Sequence, residues 1–238
     1  MRSMSRCIRW TLSIPLLMTW QAWAANISGE LGLTTQVIDR GIPSTLHTPI
    51  LQSNLTWLPT PGWALSASSS ILVRQPDHLA LINAELTRYW SPTDDWQLQT
   101  SVLYYGYPGN RFFKRFNRIE TSAGISYRDI VTFSVAAFRL TEKNKGTWYA
   151  AADLSLRQPL SASVSLTTGI GVSQRPTTFY FGDTWTPPHP YYYGHAGLIW
   201  THNTWTIQFT HLLSSTNSPA HQRNAAISPW IATLSHSF

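Results

Sequence analysis

Along most of this chain apolar and polar residues alternate one by one. Between residues 160 and 173, Leu160, Ala162, Val164, Leu166, Thr168, Ile170 and Val172 share one parity, while Ser161, Ser163, Ser165, Thr167, Gly169, Gly171 and Ser173 share the other. A period of two marks an extended strand with two unlike faces. Residues 118–127 repeat it, setting Ile119, Thr121, Ala123, Ile125 and Tyr127 against Arg118, Glu120, Ser122, Gly124 and Ser126. The wet face of a soluble sandwich ordinarily carries Lys and Glu, yet the polar parity here is mostly small and hydroxylic. Lys114, Lys143 and Lys145, the three lysines of the chain, all fall outside the alternating segments.

The pattern predicts about twelve strands, near 26–38, 48–58, 62–73, 79–90, 95–107, 117–128, 129–140, 147–157, 160–173, 191–201, 204–213 and 225–238. Each is long enough for a tilted strand to cross a bilayer. Short connections (TPG at 60–62, SPTDD at 91–95, Arg128-Asp129, Gln158-Pro159, His202-Asn203) interleave with long ones: RGIPSTLHT, the RQPDH stretch, PGNRFFKRFN, TEKNKG, 174–190 and STNSPAHQRN. Tight turns at one end and long loops at the other predict an all-β fold, a transmembrane antiparallel barrel spanning residues 25–238. Tryptophans give an independent sign. Trp57 and Trp63, Trp90 and Trp96, and Trp200 and Trp205 bracket three of the short turns, as in an interfacial aromatic girdle. A second group, Tyr104, Tyr105, Tyr107, Phe138, Trp148 and Tyr191 to Tyr193, falls at the opposite strand ends.

Composition agrees. Charged residues make up 12% of the chain, where an ordinary soluble domain carries roughly 25%. Arg2, Arg6 and Arg9, the apolar stretch 10–20 and the Ala22-Trp23-Ala24 site read as a signal peptide, residues 1–24, cleaved after Ala24. The formal net charge of +6 then drops to +3, too little for a nucleic-acid partner. Cys7 also leaves with the leader, so the mature chain is expected to hold neither disulfide nor thiolate site.

The chain closes on Phe238, with Leu234, Ala232 and Trp230 at the same parity. This ending resembles the signal read by the barrel-assembly machinery, apart from His236, which stands where an apolar or aromatic residue is usual. Three stretches are similar to the TorF-like porin family of proteobacterial outer-membrane proteins: ISGELGLTTQVIDRGIPST with its core Asp39-Arg40-Gly41-Ile42, WQLQTSVLYYGYPGN, and the terminal IATLSHSF. The resemblance implies an outer-membrane barrel and a channel in a Gram-negative bacterium, and brings no catalytic residues with it.

If the apolar parity meets lipid, the other lines the lumen with Glu30, Asn83, Glu85, Gln97, Gln99, Arg118, Glu120, Asp153 and Gln208, joined by Gln36, Gln52, Asn54, Ser66 and Ser68. Such charges either flank a narrow aqueous path that selects solutes or pair and close the interior. Arg111, Lys114, Arg115, Lys143, Lys145, Arg175 and Arg223 fall in the long loops as a basic rim. That rim can hold lipopolysaccharide phosphates, draw anionic solutes to a mouth, or simply be solvated. Catalysis is not expected: His211, Ser214 and Asn217 form the nearest hydrolase-like grouping, and His236 and Ser237 point to opposite faces. No cofactor or metal is expected either, since His189 and His195 are six residues apart, a long reach in extended chain. The resulting expectation is a passive channel in the outer membrane for small hydrophilic solutes, with an anion bias from the rim. Its alternatives are a closed structural barrel that displays loops or binds lipopolysaccharide, and a lipid hydrolase.

Overall fold

A computed structural model describes residues 26–45, 48–109, 114, 116–141, 146–174, 190–215 and 229–238. The barrel strands are β1 (Ile27–Thr34), β4 (Ile50–Trp57), β5 (Trp63–Leu72), β6 (Gln75–Trp90), β7 (Trp96–Gly106), β8 (Arg118–Tyr127), β9 (Val131–Leu140), β10 (Tyr149–Pro159), β11 (Val164–Gln174), β12 (Pro190–His202), β13 (Trp205–Ser214) and β14 (Trp230–Ser237). Two short strands, β2 (Ile38–Asp39) and β3 (Ile42–Pro43), pair only with each other. The twelve longer strands form a closed antiparallel barrel in which each pairs with its neighbours in sequence and β1 meets β14. Closure gives every barrel strand two partners, which removes the sheet edges that a membrane could not satisfy. At the seam, Gly29 and Phe238 exchange N–H···O bonds of 2.9 Å in both directions.

Register fixes which parity faces inward. Glu30 pairs with Asn54, Asn54 with Ser68, Ser68 with Asn83, and Asn83 with Tyr105, so all five share one face. The chain of pairs continues through Arg118 to Leu140, and same-face pairs such as Glu120↔Phe138 and Phe138↔Tyr149 carry the parity onward. The opposite parity exposes Leu31, Leu33, Leu55, Leu86, Val102, Phe133, Leu154, Ile170, Leu198, Ile207 and Phe209. Most large apolar side chains face outward and mostly small or polar ones inward, with Ile50, Phe138, Leu140, Tyr149 and Tyr191 as buried inward exceptions, the inverse of a water-soluble sheet and the pattern of a hydrocarbon-facing barrel.

Trp63, Trp90, Trp96, Trp200 and Trp205 are exposed on this outer face beside the short turns, and Trp57 shares their parity. Arg88 lies over the rings of Trp63 and Trp90 at 5.2 and 5.6 Å. His236 sits on the same belt, its ring 4.6 Å from that of Trp205 and 3.0 Å from the Thr204 hydroxyl. A half-polar ring suits an interface, which explains a histidine where an apolar residue is the rule.

The turn expected at Gln158-Pro159 falls instead at residues 160–163, because both residues still pair within β10. Two further expected connections differ. The RQPDH stretch is not a long loop: the chain turns at Val73-Arg74, and Gln75–His78 already belong to β6, with register shifts after Ser70 and after Ile71. The other is the RGIPSTLHT stretch, expected outside the barrel. β1 stops at Thr34, and the connection folds inward. The leader 1–24, loop 174–190 beyond Gln174 and up to Pro190, and most of the remaining long loops lie outside the described residues.

Candidate functional site: an ion-paired hairpin in the lumen

The inward connection is a miniature β-hairpin. Arg40 and Gly41 both have positive φ, 47° and 74°, between the pairs Ile38↔Pro43 and Asp39↔Ile42. That is the geometry of a type I′ turn, in which a glycine at the second position costs little. A side chain at Gly41 would also strike Tyr193 and Ser214 on the barrel wall, so the turn tip touches β12 and β13. The stem is held by Gln36, whose Nε2 donates to the Thr45 carbonyl at 3.0 Å, and by the Val37 N–H, which donates to Thr45 Oγ1 at 3.1 Å.

The tip carries opposite charges side by side, and each finds its complement on distant wall strands. Arg40 donates from Nη1 and Nη2 to the two carboxylate oxygens of Glu120, at 3.1 and 2.5 Å. Arg118 donates from Nη1 to Asp39 at 2.7 Å and from Nε to Glu120 at 3.2 Å. Asp153 on β10 closes the set: it lies 4.0 Å from Arg40 Nε and accepts a short hydrogen bond from the Tyr193 hydroxyl. Aromatic faces cover the guanidiniums, Tyr105 at 3.8 Å from Arg118, and Phe138 at 5.3 Å from Arg40 and 5.7 Å from Arg118. Charges taken out of water cost several kcal/mol each unless partners and hydrogen bonds compensate. Here two guanidiniums face three carboxylates, so the charges are matched, while the buried Arg118 Nη2 has no hydrogen-bond partner among the described residues. Burial pushes the Asp39 carboxyl up, but the guanidiniums of Arg118 and Arg40 together with the Arg118 hydrogen bond outweigh it and leave Asp39 below the usual carboxylate range.

All nine residues expected to line the lumen share the inward parity: Glu30, Asn83, Glu85, Gln97, Gln99, Arg118, Glu120, Asp153 and Gln208. They do not share one environment. Arg118 and Glu120 are only 5% and 6% exposed, facing the interior but covered by the hairpin. Asp153 and Gln208 border a cavity of about 410 Å³ between the hairpin and β12–β14, together with Gln36, Gln52, His195 and Thr233. Glu30 and Asn83 border another of about 290 Å³ lower on the β1, β4, β5 and β6 side, to which Gln52 and Thr233 also belong. The two cavities therefore adjoin, and together they skirt the side of the hairpin away from Arg118.

Of the basic rim only Lys114 is among the described residues; Arg111, Arg115, Lys143, Lys145, Arg175 and Arg223 lie outside them. In the hydrolase-like grouping His211 and Ser214 take opposite faces, because β13 runs straight through both and neighbours of unlike parity diverge. His211 stacks edge-on against Trp230 on the outer parity, while Ser214 pairs with Tyr193 on the inner one. Asn217 and His189 fall outside the described residues, and among those described no cluster of metal-ligating side chains occurs. The sequence reading missed the hairpin's role. Its one legible sign was Asp39-Arg40-Gly41, a turn with two opposite charges at its tip.

No family model matches the chain, and no curated protein matches it. Solved structures do. A NanC porin superposes with a TM-score of 0.53 at 8% identity, over 89% of this chain and 97% of its own. The translocator domain of the autotransporter NalP from Neisseria meningitidis superposes with a TM-score of 0.50 at 12% identity, over 93% and 94%. At such identities the likeness establishes the architecture, a closed twelve-stranded antiparallel β-barrel of the kind seen in outer-membrane porins and autotransporters.

Proposed function

We propose that the protein is an outer-membrane channel for small hydrophilic solutes, its turn end periplasmic, its loop end outside and its bore narrowed by the Ile38–Pro43 hairpin. One observation carries this reading. The hairpin crosses the lumen without filling it, and the two polar cavities beside it share Gln52 and Thr233 as common wall. Twelve strands enclose more space than their own side chains occupy, and what remains is lined by amides, hydroxyls and carboxylates interspersed with Val37, Ile38, Leu81, Leu212 and Ile231. Selectivity would follow the fixed charge along that route. The charges bordering it are Glu30 and, each already engaged, Asp153 and Arg40, so through Glu30 the bore favours small cations and neutral solutes. The anion preference expected from the sequence rested on loop residues of which all but Lys114 lie beyond those described.

Outer-membrane placement, kinship with the TorF-like porins, recognition of the Phe238 terminus by the barrel-assembly machinery and lipopolysaccharide contact through the loops belong to the same proposal. So does the absence of catalysis. The experiment is conductance of the purified protein in a planar bilayer. Stepwise conductance with a reversal potential on the cation side is expected. A silent barrel would favour the closed structural reading, which the buried Arg40–Glu120 and Arg118–Asp39 pairs support.

A further inference from the structure

We infer that the cavity between the hairpin and β12–β14 is a binding subsite for a neutral saccharide, an inference that rests on the channel reading and names its solute class. At about 410 Å³ the cavity has room for a small molecule, within the size range of ordinary ligand sites. Beside the aliphatic Val37, Ile38, Leu212 and Ile231, its wall has three components. The first is a pair of flat rings: Tyr193 and His195, successive inward residues of β12, lie over Gly171 and Gly169 of β11, where any Cβ would collide with them. The glycines let both rings lie flat along the wall, presenting a flat π face of the kind on which the C–H face of a pyranose can stack.

The second component is neutral hydrogen-bonding capacity. Gln36, Gln52 and Gln208 reach the same cavity, and an amide both donates and accepts, as ring hydroxyls require. Gln36 is only 3% exposed, and its Oε1 has no hydrogen-bond partner among the described residues although its Nε2 is bonded to Thr45. That oxygen is shut off from solvent, so Gln36 backs the wall, and Gln52 and Gln208 are the amides a hydroxyl can reach. The third component is spent charge. Asp153 is taken by the Tyr193 hydroxyl and lies near Arg40, and Arg40 is committed to Glu120. Among the described residues of this wall a charged solute finds both carboxylate and guanidinium already engaged, whereas a neutral polyol needs neither.

The test is equilibrium binding of glucose and maltose to the full-length protein in detergent by calorimetry, run beside bilayer conductance on the same preparation. Wild type should bind at least one of the two sugars saturably. His195→Ala and Gln208→Leu should each weaken binding about tenfold, the loss of one stacking or hydrogen-bonding group, while Arg128→Ala, at an exposed turn remote from the cavity, should not. A native far-ultraviolet spectrum for each variant separates loss of the site from loss of the fold. Absent saturable binding by folded wild type, or equal affinity in both cavity variants, would overturn the subsite. Tighter binding of gluconate or glucosamine than of glucose would overturn the neutral class. Sugar binding by a barrel that does not conduct would retain the subsite and discard the channel.

Discussion

At the loop end of the lumen Arg118, Glu120, Phe138, Leu140, Tyr149 and Tyr191 are nearly solvent-free beneath the hairpin, whereas toward the turn end Glu30, Asn54, Gln97 and Ser126 stand in a wet interior. Both regions belong to the same strands and obey the same alternation. The difference comes from the hairpin, which supplies the loop end with a second layer. There, inward charges must be matched group for group; at the turn end, water does the matching. An inward position in a barrel is thus two kinds of site, and parity alone does not separate them.

The largest expected effect follows from breaking the covered set. Arg118→Met leaves the mostly covered Asp39 without its closest partner, and should cost on the order of 3 kcal/mol, with a rise in single-channel conductance as the hairpin detaches. Thermal unfolding in detergent and bilayer recording read the two effects. Next comes Arg40→Glu, which sets carboxylate against carboxylate; it should destabilise by about 2–3 kcal/mol and open the bore. Adding Glu120→Arg should recover part of both, and a double-mutant cycle showing no coupling would mean the hairpin is held by its apolar contacts alone.

Acidification probes the same contact more gently. Because the Asp39 carboxyl titrates below its ordinary range, its folded form holds its proton less tightly than the unfolded chain does. Its stabilisation is therefore full above about pH 4 and drains away only below that. Through Asp39, conductance should be level from pH 7 to 5 and increase only in stronger acid. At the turn end, Glu30→Gln should leave stability within about 0.5 kcal/mol yet move the reversal potential toward zero. Smallest of all, Arg128→Ala, which loses a solvent-exposed pair with Asp95 at 2.7 Å, should leave both readouts unmoved.

How much of this was legible beforehand depends on the range of the interaction. Strands such as Arg118–Tyr127 and Val164–Gln174 were readable because period two is written in adjacent residues, and the tryptophan pairs because each brackets its own turn. The hairpin was not. Asp39-Arg40-Gly41 has the local chemistry of any tight turn, and what draws it inward are Glu120 and Asp153, the nearer of them 80 positions along the chain. Likewise RQPDH holds Pro76 and Asp77, which locally favour a loop, yet β6 runs past them to pair Gln75 with Leu72, leaving residues 76–78 as a bulge without partners on β5. Whether an inward charge is wet or covered is a property of what lies over it, and no alternation of residues encodes that.

In the circular strand order the segment leaving β1 reaches β8, almost half-way round, so Arg40 and Asp39 act as a tie rod across a hoop. A hollow cylinder squeezed sideways by its surroundings yields first by becoming oval. A diametral brace opposes that distortion along one axis only. The barrel should accordingly be stiff in the direction of the brace and compliant at right angles to it, so that lateral pressure in the lipid changes the shape of its opening more readily than its circumference.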